Sequence, residues 1–214
     1  MDIRWLRSQA RARWRTLEVP ELARISARIE TALLAILERQ RPQFKDSHPI
    51  VGLYRALPGE IPTDSWARLL LAHGYRLAYP KVDINSPWGL RFFLLPALDP
   101  DWTSWADGPH GVREPRGSWP EVVPDSISAL IIPGLAFGGQ GERLGRGGGF
   151  YDRLLASSPS PLRVGVAPDR LLYPELPVRP WDQPVDIILT ERRFTDVSQP
   201  AAGKTPVVSG RCFR

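Results

Sequence analysis

At 214 residues, with 43% hydrophobic and 24% charged side chains, the chain has the makeup of one globular domain with a single good-sized core. No apolar run approaches the roughly 18 residues of a membrane span, the N-terminus lacks the apolar centre of a secretory signal, and the lone Cys212 cannot form an internal disulfide. A formal charge of +5 points to polyanionic partners; with no zinc-finger spacing, helix-turn-helix or aromatic-studded RNA motif in view, nucleic acid is set aside as unlikely.

These features fit a reducing cytoplasm, which is the location expected. A basic N-terminus could also serve as an organellar address, but Asp2 and the scarcity of serine there argue against it. Residues 1–45 hold ten basic and five acidic side chains, so that segment alone carries +5. No feature fixes the oligomeric state, and a monomer is the reading favoured.

Residues 3–17 and 20–40 read as two successive helices. In the second, Leu22, Ile25, Ile29, Leu33, Ile36 and Leu37 recur in steps of three and four, which gives one apolar stripe. Pro20 suits a first helical turn, and Pro42 marks the end. Ile50 to Tyr54 is a short β-prone run, followed by a turn, RALPGEIPTDSW, and a helix over 65–73 that stops at Gly74.

Strands are expected at 76–79, ending at Pro80, and at 90–95. Residues 97–125 are rich in Pro, Gly, Asp and Trp and show little periodicity, the mark of a functional or mobile stretch. Trp102, Trp105 and Trp119 read as local packing, with one of them a candidate cover for a ligand ring, and His110 as ordinary surface.

The apolar run Ile127 to Ile132 reads as a buried strand, and Tyr151 to Ala156 as a helix. Between them lies PGLAFGGQGERLGRGGGFYDRLL, with seven glycines in the twelve residues from Gly138 to Gly149. Glycines let successive N–H groups face an anion at close range, a helix N-terminus adds partial positive charge, and Arg143 and Arg146 can fork onto phosphate oxygens. A plain flexible connection would also be glycine-rich, but two arginines and Asp152 at fixed places argue against mere slack. No Gly-Lys-Ser/Thr ends the loop, and Pro133 to Phe137 separate the strand from the first glycine. It is therefore neither a P-loop nor a good dinucleotide fingerprint.

Further strands follow at 163–167 and 185–189, with Leu176-Pro177 and Pro180-Trp181-Asp182-Gln183-Pro184 between them. Short apolar strands alternating with helices favour an α/β fold with a mostly parallel sheet covered on both faces. Residues 1–197 form the expected domain, and residues 198–214 a tail with no core pattern, read as disordered.

The stretch RLGRGGGFYDRLL, preceded by PGLAF, resembles the signature of the 5-formyltetrahydrofolate cyclo-ligase family, also called methenyltetrahydrofolate synthetases; the likeness covers roughly residues 3 to 191. The resemblance implies a single three-layer α/β/α domain behind an N-terminal helical pair. It also implies conversion of 5-formyltetrahydrofolate, in some cases polyglutamylated, to 5,10-methenyltetrahydrofolate, with ATP as co-substrate and Mg2+ as cofactor, releasing ADP and phosphate.

Residue by residue, the family pattern assigns Gly141, Arg143, Leu144, Gly145, Arg146, Gly147, Gly148, Gly149, Phe150 and Tyr151 to ATP, with Arg143 and Arg146 also catalytic. Leu6-Arg7 fits the end of a Lys-x-x-Leu-Arg phosphate pattern, so Arg7 joins that set; Ile3 stands where the lysine belongs, and Arg4 is the candidate substitute. Glu60 in Gly59-Glu60-Ile61-Pro62-Thr63 matches a folate-binding turn. Glu114 in His110-Gly111-Val112-Arg113-Glu114-Pro115 matches a second element near the folate, and Arg55 is a further lining candidate. Asp152 and Asp182 stand at the magnesium positions, and Phe150 where many relatives have tyrosine. Two other classes stay open: a related ATP-using enzyme acting on another formyl or carboxyl substrate, and a folate-binding module without turnover.

Overall fold

A computed structural model describes residues 2–96, 105–108, 113–158 and 161–197. Trp102, His110 to Val112 and the tail from Ser198, with its Cys212, lie outside the described residues. The described helices are α1 (Ile3–Arg15), α2 (Val19–Gln40), α3 (Asp64–Ala72) and α4 (Phe150–Ser157). The strands are β1 (Ile50–Gly52), β2 (Arg76–Val82), β3 (Leu90–Leu94), β4 (Ala106–Asp107), β5 (Arg113–Glu114), β6 (Glu121–Val122), β7 (Ile127–Pro133), β8 (Ala136–Gly138), β9 (Arg143–Leu144), β10 (Leu162–Val166), β11 (Leu172–Tyr173), β12 (Ile187–Leu189) and β13 (Phe194–Asp196).

Eight of these strands form the main sheet in the order β13-β12-β10-β7-β1-β2-β3-β6. The five central strands, β12-β10-β7-β1-β2, are all parallel. β13 on one side and β3 and β6 on the other pair antiparallel. A three-stranded sheet (β11-β8-β9) and a β4-β5 pair complete the described strands.

The central strands send alternate side chains into two apolar clusters, which explains their continuous apolar runs. Val51 of β1, Val164 and Val166 of β10, and Ile187 and Leu189 of β12 join one cluster. Ile50 and Ile188, their neighbours in sequence, join the other. The apolar stripe of α2 (Leu22, Ile25, Ile29, Leu33 and Leu37) and Trp66, Ala67 and Leu70 of α3 belong to the first cluster. Leu6 and Ala10 of α1 and Leu154 and Leu155 of α4 belong to the second. The two N-terminal helices are thus present and follow each other, but they serve different cores, with only the half-buried Trp14 touching both.

β2 continues through Pro80, two residues past where the sequence reading stops it. The reason lies in the ladder with β3. Leu95 donates to Leu77 O and Asp83 donates to Gly89 O, so odd-numbered positions of β2 bond β3 and the nitrogen of Pro80 faces the other way. On that side β1 has already ended, its last partner being Ala78. A proline costs no ladder bond there, and Pro80 and Val82 become cavity wall instead.

The chain leaves β1 through α3 to reach β2 on one side, and leaves β7 through α4 to reach β10 on the other. β1 and β7 are neighbours, so their connections diverge and open a crevice beyond their carboxyl ends. Open α/β sheets place ligands at such a switch point.

Candidate active site

A cavity of about 310 Å³ occupies this crevice, near the lower end of the usual range for small-molecule sites. Tyr54 and Arg55 enter it from the end of β1, and Pro133 and Gly134 from the end of β7. Pro80, Val82 and Leu90 form an apolar wall, and the glycine loop from Arg143 to Asp152 lines the cavity as well.

The glycine stretch does two jobs. Its first half folds as the β8-β9 hairpin, where Gly141 donates to Gly138 O (3.1 Å) and accepts from the Val185 N–H (3.0 Å). Gly141 is therefore placed away from the cavity wall. The second half, Gly145 to Gly149, lines the cavity and leads into α4. Gly149 takes φ +66° at the cap position of α4, a backbone state that an L side chain rarely adopts. The opening N–H groups of Phe150, Tyr151 and Asp152, residues that line the cavity, have no intrahelical partner.

Arg143 is the buried cation of the site, its side chain only 5% exposed. Its Nη2 donates to Asp152 Oδ1 at 2.8 Å, and the guanidinium lies over the Tyr151 ring at 5.6 Å. A Cβ at Gly145 would stand 2.8 Å from Nη1, so a side chain there would push the guanidinium aside. Among the described residues the buried Nε has no hydrogen-bond partner. A buried guanidinium with an unspent donor beside a cavity suits an anionic ligand.

Glu60 also lines the cavity. Its Oε2 accepts from the Leu57 N–H (2.9 Å), and its Oε1 accepts from Arg146 Nε (3.0 Å) and Nη2 (2.5 Å). Arg55 pairs with Asp64 and lies over the Trp105 ring at 5.7 Å. Glu114, almost fully buried, accepts from the Val82 N–H at 3.1 Å and so ties β5 to the end of β2. Trp105 and Trp119 are buried and stack edge-on at 5.4 Å, as packing residues do.

From α1, Arg7 Nε donates to Gly145 O (3.0 Å) and Arg11 Nη2 to Arg146 O (3.3 Å). The helix thereby holds the glycine loop in place. Ile3 and Arg7 reach the cavity, whereas Arg4 is exposed, spends its backbone N–H on Asp2, and does not line it.

Burial pushes the Tyr54 hydroxyl well above its ordinary pKa, with the nearby Glu60 charge adding to the effect. Burial also raises Tyr151, although Arg143 pulls it back in part. Both phenols therefore stay protonated at neutral pH. Tyr54 donates to Ile61 O at 3.1 Å and braces the loop that carries Glu60.

Asp152 and Asp182 both reach the cavity. Asp152 Oδ1 accepts from Arg143 and from the Gln183 N–H (3.3 Å), while Asp182 Oδ2 accepts from the Arg179 N–H (2.8 Å). The Gln183 contact brings the 182–183 segment onto the first turn of α4. Each acid keeps one oxygen without a hydrogen bond among the described residues. No cluster of three or more metal-binding side chains occurs among them. Two carboxylates are nevertheless the protein share expected for magnesium on a nucleotide, whose phosphates and water supply the remaining ligands. The donor set fits.

The structure thus gathers Arg7, Arg55, Glu60, Glu114, Arg143 to Asp152 and Asp182 at one cavity, and leaves Arg4 and Gly141 outside it. Residue reading missed Tyr54, the Pro80–Val82–Leu90 wall, Arg179 and Trp181. Position beside Arg55 and Asp182 was the available signal for Tyr54 and Trp181; nothing in the sequence marked the rest.

The 5-formyltetrahydrofolate cyclo-ligase of Haemophilus influenzae is 29% identical over 175 residues, covering 76% of this chain and 91% of its own. That of Escherichia coli is 42% identical over 145 residues, covering 65% and 76%. The solution structure of 5,10-methenyltetrahydrofolate synthetase from Aquifex aeolicus superposes with a TM-score of 0.75 at 27% identity, covering 98% of this chain and all of that one. The Mycoplasma pneumoniae synthetase (TM-score 0.69, 23% identity) supports the fold alone. The model of the 5-formyltetrahydrofolate cyclo-ligase family matches residues 3–191, which take in the glycine loop, both acids and Glu60, and the chain belongs to that family.

Proposed function

We propose that this protein converts 5-formyltetrahydrofolate to 5,10-methenyltetrahydrofolate with consumption of ATP, in the presence of magnesium, releasing ADP and phosphate. The observation that carries this reading is the meeting of two unlike linings in one cavity. One is cationic and glycine-rich with two acids at its end; the other presents Glu60, Arg55 and an apolar surface. A phosphate donor suits the first wall and a flat, N–H-rich ring system the second.

The reaction needs a phosphoryl donor because a formamide oxygen is a poor leaving group. Transfer of the terminal phosphoryl group to the formyl oxygen turns that oxygen into phosphate. Attack by the neighbouring folate N–H nitrogen on the formyl carbon then forms the new C–N bond; that nitrogen gives up its proton, and the C–O bond breaks as phosphate departs. The protein contributes position and charge. Arg143, held by Asp152 and shielded from water, offsets charge on the transferring group, together with the α4 N-terminus. Arg146, half-exposed, has its side chain held by Glu60 and would turn from it towards phosphate oxygens.

Glu60 would accept from N–H groups of the folate ring. Magnesium, when bound, would neutralise and orient the phosphates, and Asp152 and Asp182 would hold it. A single chain supplies every group named, so a monomer suffices. A cytoplasmic setting fits the single cysteine and the lack, among the described residues, of a helix long and apolar enough to cross a membrane.

The test is direct. Purified protein given 5-formyltetrahydrofolate, ATP and magnesium should produce the methenyltetrahydrofolate absorbance with one phosphate released per product. Absence of product, or product formed without nucleotide consumption, overturns the reading.

A further inference from the structure

Two residues of the cavity wall have no part in that scheme. Arg179 and Trp181 lie in the irregular stretch between β11 and β12, and both line the cavity. A closed turn fixes them: the Asp182 N–H donates to Arg179 O at 3.0 Å, while the Arg179 N–H donates to Asp182 Oδ2 at 2.8 Å. The Gln183 side chain donates to Trp181 O at 3.4 Å, and its backbone N–H reaches Asp152. The turn is therefore docked on the first turn of α4.

Trp181 is 61% exposed, whereas Trp66, Trp105 and Trp119 are buried in the core. Arg179 lies over its ring at 5.7 Å, and the ring, though mostly exposed, lines the cavity. Leaving so large an apolar ring in water gives up a substantial burial gain, and the core makes no use of it. An exposed aromatic ring in a cavity lining is what a flat heteroaromatic ligand stacks on, and such stacking tolerates any base.

We propose that Trp181, braced by Arg179, is the stacking platform for the base of the nucleotide co-substrate. The proposal rests on reading the cavity as an ATP site. It selects the base rather than the folate ring because Trp181 adjoins Asp182 and, through Gln183, Asp152, the two acids on the phosphate side. A single ribose joins the base to the phosphates, so the base must lie near those acids. Glu60 and Arg55 instead come from the carboxyl end of β1.

The experiment measures, on the full chain and its Trp181→Ala and Trp181→Phe variants, binding of three probes by calorimetry with magnesium present. The probes are the non-hydrolysable adenosine β,γ-imidotriphosphate, inorganic tripolyphosphate and 5-formyltetrahydrofolate. The expected result is that Trp181→Ala weakens the adenosine analogue about ten- to a hundred-fold. Trp181→Phe should keep it within a few-fold, with tripolyphosphate and the folate unchanged throughout. Equal weakening of the analogue and tripolyphosphate overturns the platform, since Trp181 would then only position the acids. Weakening of the folate alone overturns it too, by making Trp181 a platform for the folate ring. If the unmodified protein binds neither the analogue nor tripolyphosphate, the ATP reading fails together with the platform. That failure shows in the parent protein, while failure of the platform alone shows only in the variants.

Discussion

Glu60 and Arg146 hold each other from two walls of the cavity, with Oε1 3.0 Å from Nε and 2.5 Å from Nη2. The acid assigned to the folate and the arginine assigned to the phosphates are thus each other's partner. Glu60 is the shielded member, its side chain 13% exposed against 52% for Arg146. An incoming phosphate competes with Glu60 for the guanidinium, and release of Arg146 would leave Oε1 free to accept from folate N–H groups. Glu60→Gln keeps the shape and removes the charge. Losing one charge-assisted bond costs about 1.5–3 kcal/mol, so folate affinity or turnover should fall roughly ten- to a hundred-fold. Nucleotide affinity should hold or rise slightly. Paired titrations of folate and nucleotide check this; a fall in nucleotide affinity with folate parameters intact would refute the assignment.

Arg143 differs from Arg146 in being buried and fixed. Its guanidinium is held by Asp152 and packs against Gly145. Arg143→Lys keeps a positive charge but not the planar fork. Turnover is expected to drop by about a hundred-fold or more, as when a preorganised donor is lost, with the substrate KM values changing far less. A variant turning over within three-fold of the parent would mean that Arg143 only supports Asp152.

Much of the fold is legible in the residues, because period and punctuation carry it. The α2 stripe buries as its spacing requires, and the apolar run 127–132 is β7. The glycine-to-helix transition at Gly149–Phe150 falls within a residue of expectation. The order of strands is not legible, since no local pattern says that β7 inserts beside β1 or that the two connections part there. That single fact makes the crevice. Non-local pairing also hid the split role of the glycines: Gly141 answers to Val185, far along the chain, and Gly145 to Arg7 of α1. Trp181 stayed hidden because one aromatic in a proline-rich run has no period to read.

Away from the cavity, Asp169 and Arg193 close the carboxyl ends of β10 and β12. Nε donates to Oδ1 at 2.6 Å and Nη2 to Oδ2 at 2.8 Å, with Thr190 adding a bond to Oδ1. The hydrogen bonds from Arg193 hold the Asp169 carboxyl below its ordinary pKa. A depressed folded-state pKa means that this stability is fully present above the unfolded value near 4, and is lost as pH falls through the lower folded value. Asp169 is only 11% exposed, but Arg193 is 39% exposed, so solvent screens the pair. Asp169→Asn should therefore cost about 1–2 kcal/mol at pH 7, a fall of ~2–8 °C in Tm. Thermal unfolding from pH 7 to pH 3 should show the gap between parent and variant closing below about pH 4. A gap that stays constant to pH 3 would mean that the pair contributes through packing, not charge.

The two acids give the last test. Asp152 sits in the first turn of α4, where a carboxylate facing the helix dipole contributes ~0.3–1 kcal/mol of stability and needs no ligand. Its Oδ1 is already engaged by Arg143 and Gln183, and Asp182 Oδ2 by the Arg179 N–H. Each acid is thus oriented through one oxygen, with the other left for an ion. If both hold one magnesium on the nucleotide, Asp152→Asn and Asp182→Asn should each raise the magnesium concentration for half-maximal turnover. The double variant should then be little worse than the worse single, because removing the second ligand of a site already crippled costs little more. Asp152→Asn also strips Arg143 of its carboxylate, so its turnover should fall further than that of Asp182→Asn. If the helix-dipole role is the whole of it, Asp152→Asn lowers Tm slightly and leaves magnesium dependence untouched. Magnesium titrations of the parent, the two singles and the double decide between these, and unchanged half-saturation in both singles would remove the shared-ion assignment.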